Sequence, residues 1–484
     1  MTDDELCYIP ATQALQLFKA RKLSPVELLE VLTKRSEKLN PAINCFAERY
    51  DEEAMARAKT AEHKYAKNQE TAALAGIPLA VKDAQRVRGK RTTHGSLIFK
   101  DAKPDDHSDP MIERLENAGA NIFSRTTTSE FCLSGACHSR IWGITRNPWN
   151  LEYGPGGSSG GTAAALAAGF TTLATGTDIG GSIRIPASAC GIVGFKPPHG
   201  RNPDGPPANI DRFNHCGPMT RTVADAALMQ NITSGPHPLD HDSLRTRIIL
   251  PTEVTSIKGM KVAFSLDFGY VNVTHEVLTN TLLAIDRFRS LGAIVEEVDL
   301  GWTDAVDGDC MHWYNMMHFG RQTIWHEKNH AHLMTDYALK FSASALKNSS
   351  IDDVYKPWAR IHAMYQTLGP ALERNEIFIC PTTNLPAVKA EHDPWDQTFT
   401  INGKKADPEC GWVMTHQFNM LHNLPVLAVP SGHDQNNIPT SIQIVGRSFD
   451  DEAVFRAGLA YENECGGWYK NAGTIPKHHS NPTD

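Results

Sequence analysis

A segment of almost nothing but alanine, residues 163–168, is bracketed by two glycine-flanked serine turns. The first reads Gly154-Pro155-Gly156-Gly157-Ser158-Ser159-Gly160-Gly161, and the second Gly176-Thr177-Asp178-Ile179-Gly180-Gly181-Ser182-Ile183-Arg184-Ile185-Pro186. The intervening residues 162–169 read as a helix, followed by a strand-like return, so the two turns come together at one end of the unit. Glycine lets backbone approach a substrate or adopt positive φ, and serine offers a hydroxyl nucleophile. Upstream, Lys82 stands in the apolar run Ile77-Pro78-Leu79-Ala80-Val81-Lys82-Asp83. A lysine in apolar surroundings can lose its proton and serve as a base. Ser182 is the expected nucleophile, because the turn Ile179-Gly180-Gly181 before it offers N–H groups to a developing oxyanion. These residues point to an amide-cleaving serine enzyme without a histidine triad.

Along the chain, Ser24-Pro25-Val26-Glu27 forms a capping box with proline at the first helical position, and Asn40-Pro41 is expected to stop that helix. A second helix is expected over 51–68, making the first 70 or so residues a helical lead-in. From Leu74 onward, strand-like runs (78–82, 121–125, 172–177, 262–265, 294–298, 377–380, 426–429 and 441–445) alternate with helical ones (110–118, 159–168, 223–232 and 275–290). The alternation predicts one large α/β domain, a mixed β-sheet core covered by α-helices. No long polar or charge-block linker divides the 484 residues, so one domain is expected over 1–484. Its expected parts are a catalytic core over 71–235, a variable substrate-pocket region over 236–410 and a C-terminal part of the core over 411–484.

The net charge of −8, with no basic tract, argues against nucleic-acid binding. The acidic start Met1-Thr2-Asp3-Asp4-Glu5 lacks the order of a signal peptide, and no apolar run is long enough to span a bilayer. Ten irregularly spaced cysteines read as reduced thiols, so a cytoplasmic protein with no membrane partner is expected.

Taken together, Gly157-Ser158-Ser159-Gly160-Gly161, the whole second serine turn and Gly191-Ile192-Val193-Gly194-Phe195-Lys196-Pro197 resemble the signature of the amidase signature family. Gly76–Asp83, Thr128-Ser129-Glu130-Phe131, Gly217-Pro218-Met219-Thr220-Arg221 and Gln443-Ile444-Val445-Gly446 extend the resemblance over most of the chain. It implies a Ser–cis-Ser–Lys triad of Ser182 as nucleophile, Ser158 as relay and Lys82 as ultimate base, with a cis Gly157–Ser158 peptide. It also implies oxyanion donors on the backbone N–H groups of Ile179, Gly180, Gly181 and Ser182. Ser159, Asp178 and Arg184 are then expected to brace the turns. Neutral Lys82 would take a proton from Ser158, which takes one from Ser182 as it attacks; the proton returns to the leaving amine and water cleaves the acyl-enzyme.

Other motifs compete. His326-Glu327-Lys328-Asn329-His330 matches HExxH, with His312, His318 and His332 nearby, but no accompanying zinc-protease signature follows, and no metal is expected. Gly156–Gly160 fits the nucleophile elbow, yet a polar, proline-broken segment precedes it where a strand is required. Ser344-Ala345-Leu346-Lys347 is read as a surface helix, and Gly154–Gly161 lacks the ending of a phosphate loop, so no cofactor is expected. Residues 301–345, rich in aromatics and Met (Trp302, Met311, Trp313, Tyr314, Met316, Met317, Phe319, Trp325, Tyr337, Phe341), read as a helical hairpin packed on the core and as a pocket wall. The expected partner is a small-molecule amide or carbamate with apolar or aryl character. One alternative is a glutamine-hydrolysing subunit of a tRNA-dependent amidotransferase, against which stands the lack of an Arg-Arg motif in 310–345. Another is a non-catalytic binding protein on the same scaffold, which would have no use for Lys82, Ser158 and Ser182 together.

Overall fold

The computed structural model describes residues 1–347, 350–470 and 475–476; the side chains of His318, Phe319, Arg321 and Ile351 lie outside the described set. Eleven strands form one mixed sheet. Numbered along the chain they are β1 (Phe46–Arg49), β2 (Pro78–Lys82), β3 (Asn121–Thr126), β4 (Leu173–Asp178), β5 (Val193–Lys196), β6 (His215–Thr220), β7 (Lys261–Phe264), β8 (Ile294–Glu297), β9 (Ile377–Pro381), β10 (Val426–His433) and β11 (Pro439–Gly446). Their spatial order is β1-β3-β2-β4-β6-β5-β10-β11-β9-β7-β8. The triplets β3-β2-β4 and β9-β7-β8 are internally parallel, and every other neighbouring pair is antiparallel.

Period-two alternation divides single strands between two helical layers. In β9, Ile377 and Ile379 pack with the helices Val223–Thr233, His275–Ser290 and Asp451–Glu464. Phe378 and Cys380 face the other way, toward Cys310, Tyr337, Phe341 and Leu368. Strands covered on both faces read as continuous apolar runs, which is why 377–380 and 426–429 are recognisable in the sequence.

The eight expected strands are present, with ends shifted by up to four residues. Three others, β1, β5 and β6, are not evident from residue pattern: β1 ends in Glu48-Arg49, β5 carries Gly194, and β6 carries Gly217-Pro218. Pairing to neighbours on both sides supplies what propensity withholds in β5 and β6. The lead-in is therefore not wholly helical, since β1 pairs with β3 at the sheet edge. Its capped helix also runs past Pro41 to Ile43, where Asn44 at φ 58° ends it. Proline in the last turn forfeits one hydrogen bond without ending the helix.

Residues 305–347 are helical, as Ala305–Trp313, a π-helical stretch Tyr314–Phe319, Gly320–His330 and Asp336–Lys347, with a short 3-10 turn at Ala331–Leu333. The last helix is amphipathic: Tyr337, Ala338, Phe341, Ser342 and Ala345 bury one face, while Leu346 and Lys347 are exposed, so residues 344–347 end a surface helix with only Ala345 buried. Among the described residues no helix is long and apolar enough to cross a membrane.

Candidate active site

Strand β2 ends on Lys82 and its parallel neighbour β4 ends on Asp178, so both deliver polar residues at the carboxyl edge of the sheet. Open α/β sheets commonly bind ligands at that edge. Lys82 is fully buried, and its Nζ lies 2.7 Å from Ser158 Oγ and 2.8 Å from Thr177 Oγ1. Burial lowers the Lys82 pKa below the ordinary lysine value, against nearby groups, led by Cys132, that favour the charged form. Thr175 and Thr177 point to one face of β4; Thr175 Oγ1 donates to Gln85 Oε1 at 2.6 Å and accepts from Lys82 N–H at 3.4 Å. Two threonines at period two in a buried strand were the available signal for Thr177, whose contact with Lys82 residue type alone does not announce.

Ser158 precedes the buried helix Gly160–Ala167, which packs among β2, β3 and β4. The helix fits there because its residues are small. A Cβ on Gly161 would lie 2.3 Å from Thr127 Oγ1, and Thr162 Oγ1 sits 2.7 Å from Thr126 Oγ1. The Gly157–Ser158 peptide bond is cis. Ser159 ties the two serine turns together: its N–H donates to Ser182 C=O at 3.3 Å and its Oγ to Thr177 C=O at 3.4 Å.

The second turn is held by a buried carboxylate. Asp178 accepts from the N–H of Gly181 (2.9 Å) and Ile183 (3.2 Å), from Arg184 Nε (3.0 Å) and Nη2 (2.9 Å), and from Asn419 Nδ2 (2.8 Å). Burial alone would push this carboxyl up, but the Arg184 guanidinium and the Asn419 amide hold it well below the usual range. Arg184 also donates to Thr415 C=O, Gln443 Oε1 and Asn419 Oδ1 at 2.7–2.9 Å. The carbonyls of the turn are fixed as well, Ile179 C=O by Tyr314 OH (2.8 Å) and Gly180 C=O by Thr415 Oγ1 (2.6 Å). Asp178 and Arg184 therefore brace the turn.

The expectation of four oxyanion donors is corrected at Gly181. Its N–H is engaged by Asp178, so that group holds the turn in shape. The N–H groups of Ile179, Gly180 and Ser182 have no acceptor among the described residues.

Ser182, 8% exposed, stands where two cavities meet, each also lined by Ile179 and Cys132. The narrower one, about 40 Å³, adds Gly180, Ile185, Met311, Tyr314, Val413 and, at its polar part, Glu409 with His416. The Glu409 carboxyl accepts from Gly135 N–H at 2.8 Å and Ser134 Oγ at 3.0 Å, and burial pushes its pKa up to about 8. The wider cavity, about 250 Å³, holds Ser158, Thr177, His94, Asp109, Asp204 and Gln322 among its walls.

Residues 301–345 thus divide by position. Met311, Tyr314 and Gln322 line the cavities, whereas Trp302, Tyr337 and Phe341 are core. The HExxH residues are engaged in packing: the His326 ring stacks on Phe131 at 5.1 Å, His330 lies 6.4 Å from it, and Glu327 accepts from Ser342 Oγ. Among the described residues no group of three or more His, Cys, Asp or Glu side chains is arranged to hold a metal.

A family model described as Amidase matches residues 27–455. The chain belongs to the amidase signature family. Among its relatives is a glutamyl-tRNA(Gln) amidotransferase component from Carboxydothermus hydrogenoformans, 30% identical over 95% of this amidase and 97% of the relative. An acylamidase of Rhodococcus erythropolis is 30% identical over 96% of both chains. In structure the amidase is similar to a bacterial aryl acylamidase of the amidase signature enzymes, with a TM-score of 0.87, 27% identity and coverage of 94% and 96%. Such relatives are amide-hydrolysing enzymes, and this chain is one in kind.

Proposed function

We propose that this amidase hydrolyses amides, and the chemically equivalent carbamates and esters, through Ser182, Ser158 and Lys82. The observation that carries the reading is the 2.7 Å contact between the buried Lys82 amine and Ser158 Oγ, with Ser158 opening on the same cavity as Ser182. Lys82, whose pKa burial lowers, takes the Ser158 proton when in its neutral form, as Ser158 takes that of Ser182. Ser182 Oγ attacks the carbonyl, and the oxyanion is met by the N–H groups of Ile179, Gly180 and Ser182. The proton passes back through Ser158 to the leaving nitrogen. Water, activated along the same path, then releases the acid.

Ser158 borders the wider cavity and not the narrower one, which supports a division of the substrate between them. The nitrogen must lie where Ser158 can protonate it, so the amine occupies the wider cavity and the acyl group the narrower. Ile185, Met311, Tyr314 and Val413 suit a short apolar acyl group. On the amine side Phe131, Ile179 and Pro206–Ala208 offer apolar surface to an alkyl or aryl body. The test is a panel of amides, carbamates and esters run on wild type and Ser182→Ala, with fluorophosphonate labelling of Ser182. Turnover that survives in Ser182→Ala, or absence of an adduct beside a reacting control, removes the reading.

The names of several relatives favour a second reading, a glutaminase component of a tRNA-dependent amidotransferase. Residues 310–345 contain a single arginine, Arg321, and no Arg-Arg pair for a glutamine carboxylate. Glutaminase activity together with co-purification of tRNA-binding proteins would establish it; inert glutamine beside a hydrolysed acyl amide would dismiss it.

A further inference from the structure

The wider cavity also has carboxylates in its wall, Asp109 and Asp204. Asp109 is 8% exposed; its Oδ2 accepts from Arg86 N–H at 2.7 Å, while its Oδ1 has no hydrogen-bond partner among the described residues. Asp204, also on the cavity wall, accepts from Gly205 N–H and Asn214 Nδ2, both at 2.7 Å. Among the described residues neither carboxylate forms an ion pair. Arg86 borders the same cavity, but its guanidinium is engaged with His107 Nε2 at 2.8 Å. Burial, with the neighbouring carboxylates of Asp109 and Asp240, pushes Asp204 up to about 7. Two carboxylates in one cavity wall, Asp109 raising Asp204, are an electrostatic deficit that a bound cation relieves.

We infer that Asp109 and Asp204 select leaving amines that carry a positive charge, so that the preferred substrates are mono-acylated diamines or other N-acyl amines with an ammonium or amidinium group. The inference rests on the hydrolytic reading above, which seats the amine beside Ser158. An ammonium approaching Asp109 Oδ1 and Asp204 exchanges water for charge-assisted hydrogen bonds in an enclosed site, while an anionic amine meets two like charges. Arg86 stays charged and lowers the Asp109 pKa against the rise from burial, but the charged side chains of this wall, Arg86, Asp109 and Asp204, still sum to a net negative.

Three amides with one acyl group test it: N-butanoyl butylamine, mono-N-butanoyl diaminobutane and N-butanoyl aminobutanoate. In wild type the cationic amide is expected to exceed the neutral one in kcat/KM by about tenfold or more, and the anionic one to be poorest. In Asp204→Asn and in Asp109→Asn the cationic-to-neutral ratio falls to about one. Partial loss of folded protein lowers both rates together and leaves that ratio unmoved. Free diaminobutane should also inhibit wild type competitively at lower concentration than butylamine, a measurement independent of any variant. Cleavage that favours the neutral or anionic amide in wild type overturns the inference alone. Failure to cleave any of the three, with Ser182 unlabelled by fluorophosphonate, overturns the hydrolytic reading and the inference with it.

Discussion

Lys82 is the residue on which the pH dependence turns. Burial lowers its pKa, so the neutral form is reached at lower pH than for a free lysine near 10.5. The rate kcat/KM is expected to rise with pH along a limb that lies below that value. Lys82→Ala should abolish the limb and reduce turnover by about 10²–10⁴-fold, measured on the best amide of the panel. The sign for stability follows from proton counting. Between the folded and unfolded pKa values the unfolded chain binds more protons, so this lysine's cost to folding is greatest in acid and is relieved as pH rises. Tyr314 acts more gently. Its OH fixes the Ile179 carbonyl, and Tyr314→Phe should reduce kcat by about 2–10-fold, the worth of one neutral hydrogen bond, with the fold intact by circular dichroism. Lys82 and Ser182 stand out in the sequence because residue type and neighbours carry their proposed chemistry. Tyr314 was legible only as an aromatic, since its partner lies 135 positions away.

Among the elements, the second serine turn depends on a glycine that no other residue replaces. Gly181 has φ 124°, and a Cβ there would lie 2.0 Å from Thr415 Oγ1. Gly181→Ala should therefore distort the turn and misplace the N–H groups beside it, lowering kcat by about 10²-fold or more while the global unfolding transition persists. Replacing Thr415 by serine in the same variant should not rescue it, because serine keeps the oxygen and Cβ that the new methyl meets and the backbone angle remains unfavourable. The π-helical stretch Tyr314–Phe319 matters for a related reason. It lies within otherwise continuous helix, and the first of its residues reaches the turn. Sequence periodicity announces helix in this region and is blind to the extra residue that re-aims it. The same limit explains β5 and β6, whose Gly194 and Gly217-Pro218 look like loop residues until neighbouring strands pair with them.

Across the whole molecule, the site is braced by residues brought in from the far end of the chain. Arg184 reaches Thr415, Asn419 and Gln443, and β10 with β11 fills the sheet between β5 and β9. A chain ending at residue 410 would leave both of those edges unpaired, and it is expected to be insoluble or to lack a cooperative thermal transition. The Asp178–Arg184 pair is wholly buried, at 2.9 Å. Asp178→Asn should destabilise the protein by about 3–5 kcal/mol in denaturant titration, because it strands a buried guanidinium. With the Asp178 carboxyl held below its unfolded value of 3.8, the stabilisation from this pair is complete above that pH and is lost only as pH falls towards the lower folded value.

The sequence by itself determined the α/β class, the two serine turns with their buried lysine, and the reaction type. Each of these is written in local pattern: apolar period, glycine beside serine, a cation in an apolar run. Tertiary structure alone decided that the Gly181 N–H braces the turn, that Thr177 meets Lys82, and that Ser182 stands between a narrow cavity with Glu409 at its polar part and a wider one with Asp109 and Asp204 in its wall. Those outcomes depend on which distant groups fold against a residue, and hydrogen-bond partners and shared cavities have no period along a chain. In the proposed reading the paired serine turns cut the carbonyl, and what flanks it is set by walls assembled from both halves of the molecule.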